Sequence, residues 1–277
     1  MIPSSFSYQR AGNVKEALAA LSSEDVKLLA GGHSLIPTLK LRLNQPSKLV
    51  DIANIASLKN IEEVNGEIVI GAAATHYEIS THPLVQRHLP WLAKGASCIG
   101  DVQVRYKGTI GGSLAHADPS ADWPALVLAA DATLSIESAR GSRKVMATDF
   151  FTGLFSTALE QGELITAIHI PIPAKGSKGA YVKFPQPASR YALVGCAVLC
   201  RADGKVNIAF TGVSQQPFRD EAAEQVFRGK AMDAKTIAQA VAAAVENRDI
   251  LSDHYASEKY RKHLAKVFLK RAIQAAG

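Results

Sequence analysis

The chain has 277 residues, of which 47% are hydrophobic and 20% charged, enough for one large or two ordinary domains with apolar cores. Its net charge of +6 comes from Lys and Arg residues spread along the chain with little aromatic interleaving, which argues against nucleic-acid binding. The first ten residues lack the features of a signal peptide, and no apolar run approaches the roughly 18 residues that cross a bilayer. We therefore expect a soluble, cytoplasmic protein with no membrane span.

The three cysteines, Cys98, Cys196 and Cys200, are too few and too scattered for a disulfide framework. Cys196 and Cys200 stand in an apolar run that predicts a strand, and their even separation points both side chains to one face. The sequence contains no C-x-x-C motif, no set of four cysteines and no histidine cluster. We therefore expect two buried thiols, no metal site and no iron–sulfur cluster in this chain.

A small α+β lobe is predicted from the start of the chain to about residue 55. Asn13 and Glu16 form a capping-box pattern at the start of its first helix. A strand, a glycine loop, a short helix over 37–43 and a strand over 49–52 follow.

The second predicted lobe alternates strands and helices. Thr75 is expected to cap a short helix, and the apolar spacing in residues 84–99 predicts one helix that continues through Pro90. Further strands are predicted over residues 133–138, 143–147 and 164–170.

The segment 174–179, Ala-Lys-Gly-Ser-Lys-Gly, is the best candidate for a linker. Beyond it, strands are predicted at 180–184, 193–201 and 206–213, and helices at about 221–228, 233–247 and 257–275. We expect a three-stranded antiparallel sheet with a helical bundle. Six Lys and Arg residues lie within 254–277, and they form either a solvated helix face or a contact surface for an acidic partner.

Two glycine pairs, at 31–32 and 111–112, lie far apart in the sequence. Bare-backbone loops expose N–H groups that hydrogen-bond phosphate oxygens, although one such turn is more often only a turn. Neither pair matches the GxGxxG or P-loop pattern, but two loops that face each other can grip a pyrophosphate from both sides. After the second pair, Asp118 and Pro119 are interpreted as the cap and first residue of a helix.

Four segments form a recognisable set: AGGHSL at 30–35, QVRYKGTIGGSLAHADPSAD at 103–122, GELITAIHIP at 162–171 and YRKHLAKVFLKRA at 260–272. The set resembles the FAD-binding (medium) subunit of molybdenum hydroxylases of the carbon monoxide dehydrogenase and xanthine dehydrogenase type. The resemblance implies an α+β fold in which a two-lobed, PCMH-type FAD-binding domain is followed by a CO dehydrogenase flavoprotein C-terminal domain. The implied boundaries are 1–175 for the FAD-binding domain, with lobes 1–55 and 56–175, and 176–277 for the C-terminal domain.

The resemblance also implies a function as an electron-transfer subunit. FAD is expected to bind non-covalently between the lobes, with its diphosphate held by both glycine loops. A molybdenum cofactor and 2Fe-2S clusters are expected only on a large and a small partner subunit, which form a dimer of heterotrimers with this chain. Electrons would pass from those clusters to FAD here and on to an external acceptor. Two alternatives remain, a free-standing FAD-dependent oxidoreductase of the same superfamily and a flavin-free scaffold subunit.

The resemblance assigns phosphate binding to the two loops. Backbone N–H groups of the first loop would point at phosphate, and the hydroxyls of Thr109 and Ser113 would be additional donors. His33 is not expected to bond covalently to flavin. The loop residues in the predicted site are Leu28, Leu29, Ala30, Gly31, Gly32, His33, Ser34, Leu35, Thr109, Ile110, Gly111, Gly112 and Ser113.

Five further residues complete the predicted cofactor site. Asp122 would contact the adenosine half of FAD, and Tyr191 would cover one face of the flavin ring. Lys183 would stand near the flavin and stabilise its reduced anion, unless it is a strand lysine that faces water. Ile99 and Ile165 would line the site, which is compatible with ordinary core positions. No catalytic acid or base and no metal ligand is expected.

Overall fold

The computed structural model describes residues 2–22 and 25–277. The first lobe holds a three-stranded parallel sheet with the strand order β1–β3–β2. Its elements are β1 (Ser7–Arg10), α1 (Val14–Leu21), β2 (Val26–Leu29), α2 (Leu35–Lys40) and β3 (Lys48–Asp51). Asn13 caps α1 as predicted, because its side chain accepts the Glu16 N–H at 2.9 Å. The edge position of β2 leaves the loop that follows it open on one side.

The second lobe is built on a five-stranded antiparallel sheet with the order β4–β5–β10–β6–β7. The strands are β4 (Ile61–Val64), β5 (Glu67–Gly71), β6 (Thr133–Ser138), β7 (Gly141–Met146) and β10 (Leu164–Pro171), with β8 (Phe151–Gly153) and β9 (Ser156–Thr157) as a separate pair. The helices are α3 (His76–Thr81), α4 (Pro83–His88), α5 (Pro90–Ser97), α6 (Val102–Arg105), α7 (Ile110–His116), α8 (Asp122–Ala129) and α9 (Ala147–Phe150). Thr75 caps α3 in a full capping box, as predicted.

Two predicted helix boundaries in this lobe are wrong. The helix expected over 84–99 is two helices that separate at Leu89, since Pro90 lacks an N–H and disfavours helical geometry in the preceding residue. Asp118 does not cap α8, which begins at Asp122. Its carboxylate instead accepts the Ser120 N–H at 2.8 Å in a local turn, which competes with helix formation at this point.

The C-terminal part carries a four-stranded antiparallel sheet with the order β11–β12–β13–β14. Its elements are β11 (Lys178–Pro185), β12 (Ala192–Cys200), β13 (Val206–Thr211), β14 (Phe218–Arg219), α10 (Glu221–Gln225), α11 (Ala234–Ala243) and α12 (Glu258–Ala276). The prediction of three strands is therefore wrong. A two-residue strand is too short to show a hydrophobic period, and only the pairing of Phe218 with Phe210 reveals it.

Helix α8 joins the second lobe to the C-terminal sheet. All eight of its residues are buried, as expected of a helix that is apolar on every side. It packs against β12 and β13 on one side and against α5 on the other, while α12 covers the opposite face of the sheet. The C-terminal sheet is thereby held next to Asp122, the first residue of α8. In the part of the chain that the structure describes, no helix is long and apolar enough to span a membrane.

Candidate functional site

A cleft of about 880 Å³ lies where the two lobes meet, near the upper end of the size range for small-molecule sites. The first lobe contributes the segment 25–35, and the second lobe contributes α7 and the segment 159–165. Among the described residues, the C-terminal part lines the cleft at positions 189–191, which lie between β11 and β12. Three regions that are distant in sequence thus surround one cavity.

The first glycine loop offers hydrogen-bond donors to the cleft. Among the described residues, the backbone N–H groups of positions 32–35 have no hydrogen-bond partner. They lie at the start of α2, where an α-helix leaves its first N–H groups without internal acceptors. Gly32 adopts a positive φ of +73°, which glycine allows at little cost. This loop therefore supplies the unpaired donors that a phosphate group needs.

The second glycine motif is not the bare loop that we predicted. Gly111 and Gly112 lie in the first turn of α7, and Thr109 caps this helix by accepting the Gly112 N–H at 3.1 Å. The Ile110 and Gly111 N–H groups donate to the carbonyls of Ala74 and Ala72, at 3.1 and 2.8 Å. The prediction of free N–H groups on both motifs is therefore wrong for the second. The hydroxyl groups of Thr109 and Ser113 remain as donors, because the Thr109 oxygen accepts the capping bond and keeps its own hydrogen for another partner.

Asp122 lines the cleft, but its carboxylate is already engaged. It is 4% exposed, lies 2.8 Å from the Lys183 ammonium and accepts the Tyr181 hydroxyl at 2.5 Å. Burial raises the pKa of Asp122, and Lys183 and Tyr181 oppose that rise only in part. Lys183 does not line the cleft and is 8% exposed, so the alternative of a lysine that faces water is wrong. Its charge is paired behind the cleft wall.

Tyr191 lines the cleft from the segment between β11 and β12. Lys183 anchors this segment, since its Nζ also donates to the Arg190 carbonyl at 2.7 Å. The Ala192 N–H donates to the Ser120 carbonyl at 3.1 Å, which ties the segment to the residues before α8. The Tyr191 ring remains 38% exposed, and its position is compatible with the predicted cover over a bound ring.

All predicted site residues line the cleft except Leu29, Ile110 and Lys183. Leu29 follows Leu28 along β2, and successive strand side chains point to opposite faces. Ile110 is fully buried in the core of the second lobe. Sequence reasoning missed His76, which lines the cleft directly after the capping Thr75, and no spacing pattern links it to the glycine motifs.

Comparison with known proteins places both parts of the chain. The family described as "FAD binding domain in molybdopterin dehydrogenase" matches residues 4–173, and "CO dehydrogenase flavoprotein C-terminal domain" matches residues 179–276. The carbon monoxide dehydrogenase medium chain of Hydrogenophaga pseudoflava is 39% identical, over 100% of this chain and 98% of the relative. The glyceraldehyde dehydrogenase medium chain of Sulfolobus acidocaldarius is 37% identical, over 99% of each.

The fold is shared with a solved structure of the same kind. Carbon monoxide dehydrogenase from Hydrogenophaga pseudoflava, in a form that lacks the Mo-pyranopterin moiety of its molybdenum cofactor, matches with a TM-score of 0.96 and 40% sequence identity. The match covers 100% of this chain and 98% of the chain in that structure.

Proposed function

We propose that this chain is the FAD-binding electron-transfer subunit of a multi-subunit molybdenum hydroxylase. The chain belongs to the family of FAD-binding medium subunits of carbon monoxide dehydrogenase and xanthine dehydrogenase type. The observation that carries this proposal is the cleft at the meeting of the lobes, with unpaired N–H donors along one wall. FAD binds there without a covalent link.

The residues of the cleft fit the dinucleotide. The size of the cleft suits a large ligand. The N–H groups of positions 32–35 and the hydroxyls of Thr109 and Ser113 form a set of hydrogen-bond donors for the diphosphate. When bound, FAD supplies the capacity to accept electrons from one partner and release them to another. Tyr191 shields one face of the ring, and Asp122 contacts the adenosine half.

The ion pair between Lys183 and Asp122 makes the cleft suitable for an anion. A diphosphate carries about two negative charges, and an unpaired carboxylate in the wall would repel it. Lys183 neutralises that carboxylate at 2.8 Å from behind the wall. The lysine therefore acts through Asp122 and does not meet the flavin directly, which differs from the role that the sequence predicted.

The partners follow from the relatives. The two relatives described above are named as medium chains of dehydrogenases, so we assign the molybdenum cofactor and the iron–sulfur clusters to a large and a small partner subunit. A dimer of heterotrimers, an external electron acceptor and a cytoplasmic location complete the proposal. The substrate of the complex is selected on another chain.

The test is the flavin content of the complex purified through a tag on this chain. We expect one FAD per chain, released by denaturation because it is not covalently bound, and bleached when the complex turns over its substrate. A colourless complex would support the flavin-free scaffold. Substrate oxidation by this chain alone would support the free-standing oxidoreductase.

A further inference from the structure

His76 presents a fixed hydrogen-bond donor to the cleft. Its ring is 4% exposed, and its Nδ1 lies 2.9 Å from the indole Nε1 of the fully buried Trp123. An indole N–H only donates, so the Nδ1 of His76 must accept and carries no proton. The proton of the neutral ring is therefore on Nε2. Trp123 thus selects the tautomer of the histidine.

No residue in the described part of the chain accepts the Nε2–H of His76. The ring lines the cleft, and Nε2 is not among the atoms sealed from solvent. This donor has no partner within the described protein, so only water or a ligand in the cleft can accept its hydrogen. The His76 side chain is thus more than nine-tenths buried and is oriented by the hydrogen bond at Nδ1, while its Nε2–H has no acceptor among the described residues.

The position of His76 indicates which ligand atom lies nearby. Its Nε2 is close to Gly108, where an added β-carbon would lie 2.6 Å away. Gly108 also packs against Gly31 of the first glycine motif, since a β-carbon added at Gly31 would lie 2.7 Å from the Gly108 Cα. His76 therefore lies next to Gly108, where the segments that carry the two glycine motifs touch. The diphosphate is the part of FAD assigned to that point.

We infer that the Nε2–H of His76 donates a hydrogen bond to an oxygen of the FAD diphosphate, with Trp123 as the residue that positions it. This inference rests on the proposed function. Burial lowers the pKa of His76 to about 3, with the charges of His33 and Arg105 adding to the effect, so the ring binds as a neutral donor near pH 7.

Two variants, each with an amide near one of the two ring nitrogens, distinguish a role in FAD binding from a purely structural role. His76→Asn keeps an acceptor for the Trp123 indole but places no donor at the Nε2 position. His76→Gln places an amide N–H near the Nε2 position but loses the acceptor. We expect His76→Asn to weaken FAD binding about 10-fold or more, because a bond to a charged oxygen is lost. His76→Gln is expected to retain FAD more tightly than His76→Asn, yet to melt at a lower temperature.

The measurement is the Kd for FAD and the melting temperature of each variant, in the complex with its partner subunits. Equal FAD affinity in both variants and the wild type would overturn the inference, since Nε2–H would then meet only water. Weakening that follows the loss of melting temperature would also overturn it. Absence of FAD binding in the wild type would instead contradict the proposed function.

A second measurement does not depend on the variants. Nitrogen NMR of wild-type protein labelled at histidine reports which ring nitrogen carries the proton. We expect a proton on Nε2 of His76 and a changed resonance of that nitrogen when FAD is added. A proton on Nδ1, or an unchanged resonance with FAD bound, would refute the inference.

Discussion

Gly31 packs so closely against Lys107 that a β-carbon on Gly31 would overlap the Lys107 carbonyl oxygen. Gly112 lines the same cleft, but its added β-carbon would meet only the Thr109 hydroxyl, at 2.8 Å. One glycine therefore allows two backbone segments to touch, and the other keeps the cleft wall open. The two similar motifs therefore require glycine for different physical reasons.

This difference predicts that the same substitution acts mainly on stability at Gly31 and mainly on FAD binding at Gly112. Gly31→Ala is expected to lower the free energy of unfolding by about 1–3 kcal/mol, because the backbones must separate. Gly112→Ala is expected to lose no more than the cap, about 1 kcal/mol, and to weaken FAD binding. Gly112→Val should abolish FAD retention. Urea unfolding and flavin content measure the two effects.

Gly153→Ala is the matched control, since the nearest atom to its added β-carbon lies 3.7 Å away. It should change neither flavin content nor stability appreciably. Full flavin content in Gly112→Val would contradict the assignment of α7 to the cofactor wall.

The buried ion pair predicts a second effect. Lys183→Met leaves the Asp122 carboxylate unpaired, and such a loss typically costs about 3–5 kcal/mol of unfolding free energy. The double variant Lys183→Met with Asp122→Asn should recover much of that loss, because no charge remains buried. Chemical denaturation of the single and double variants measures the coupling.

Lys205→Met removes a lysine whose side chain is 74% exposed and whose ion pair with Asp203 lies at the surface, so it serves as the control for loss of an exposed charge. If Lys183→Met were as stable as Lys205→Met, the buried pair would have no role in stability.

His76 predicts a pH dependence of stability. Its pKa is about 3 in the folded protein and about 6.5 when unfolded, so below pH 6.5 only the unfolded chain takes up the proton. The free energy of unfolding should therefore fall as the pH decreases from 6.5 toward 3, by at most about 1.4 kcal/mol per pH unit. His76→Asn should flatten this slope. Melting of the flavin-free protein between pH 7.5 and 4.5 tests it, and parallel profiles would disprove it.

Removal of the cofactor predicts a loss of stability. A ligand that binds only the folded state adds about 2.7 kcal/mol at a concentration 100 times its Kd. We expect the melting temperature to rise steadily with added FAD in the wild type, and to rise less at the same FAD concentration in Gly112→Val. An unchanged melting temperature over a broad range of FAD concentrations would show that the folded cleft does not bind it.

Local chemistry by itself determined several elements. The caps at Asn13 and Thr75 depend on side chains within three residues, and the alternating burial of β6 is visible in residues 133–138. The two glycine motifs also identified part of the cleft wall on each lobe, and together with two further segments they indicated the family. These features were predictable because the interactions that produce them are local or leave a periodic pattern.

Tertiary structure alone decided what those motifs do. The second glycine pair lies in a helix because the N–H groups of residues 110 and 111 pair with carbonyls more than thirty positions earlier in the chain. Lys183 turned away from the cleft because its partner, Asp122, lies on a helix 61 positions away in sequence. His76 entered the cleft because Trp123 holds its ring. Pairings between distant segments leave no period in the sequence, so only the folded chain shows which donors remain free for a ligand.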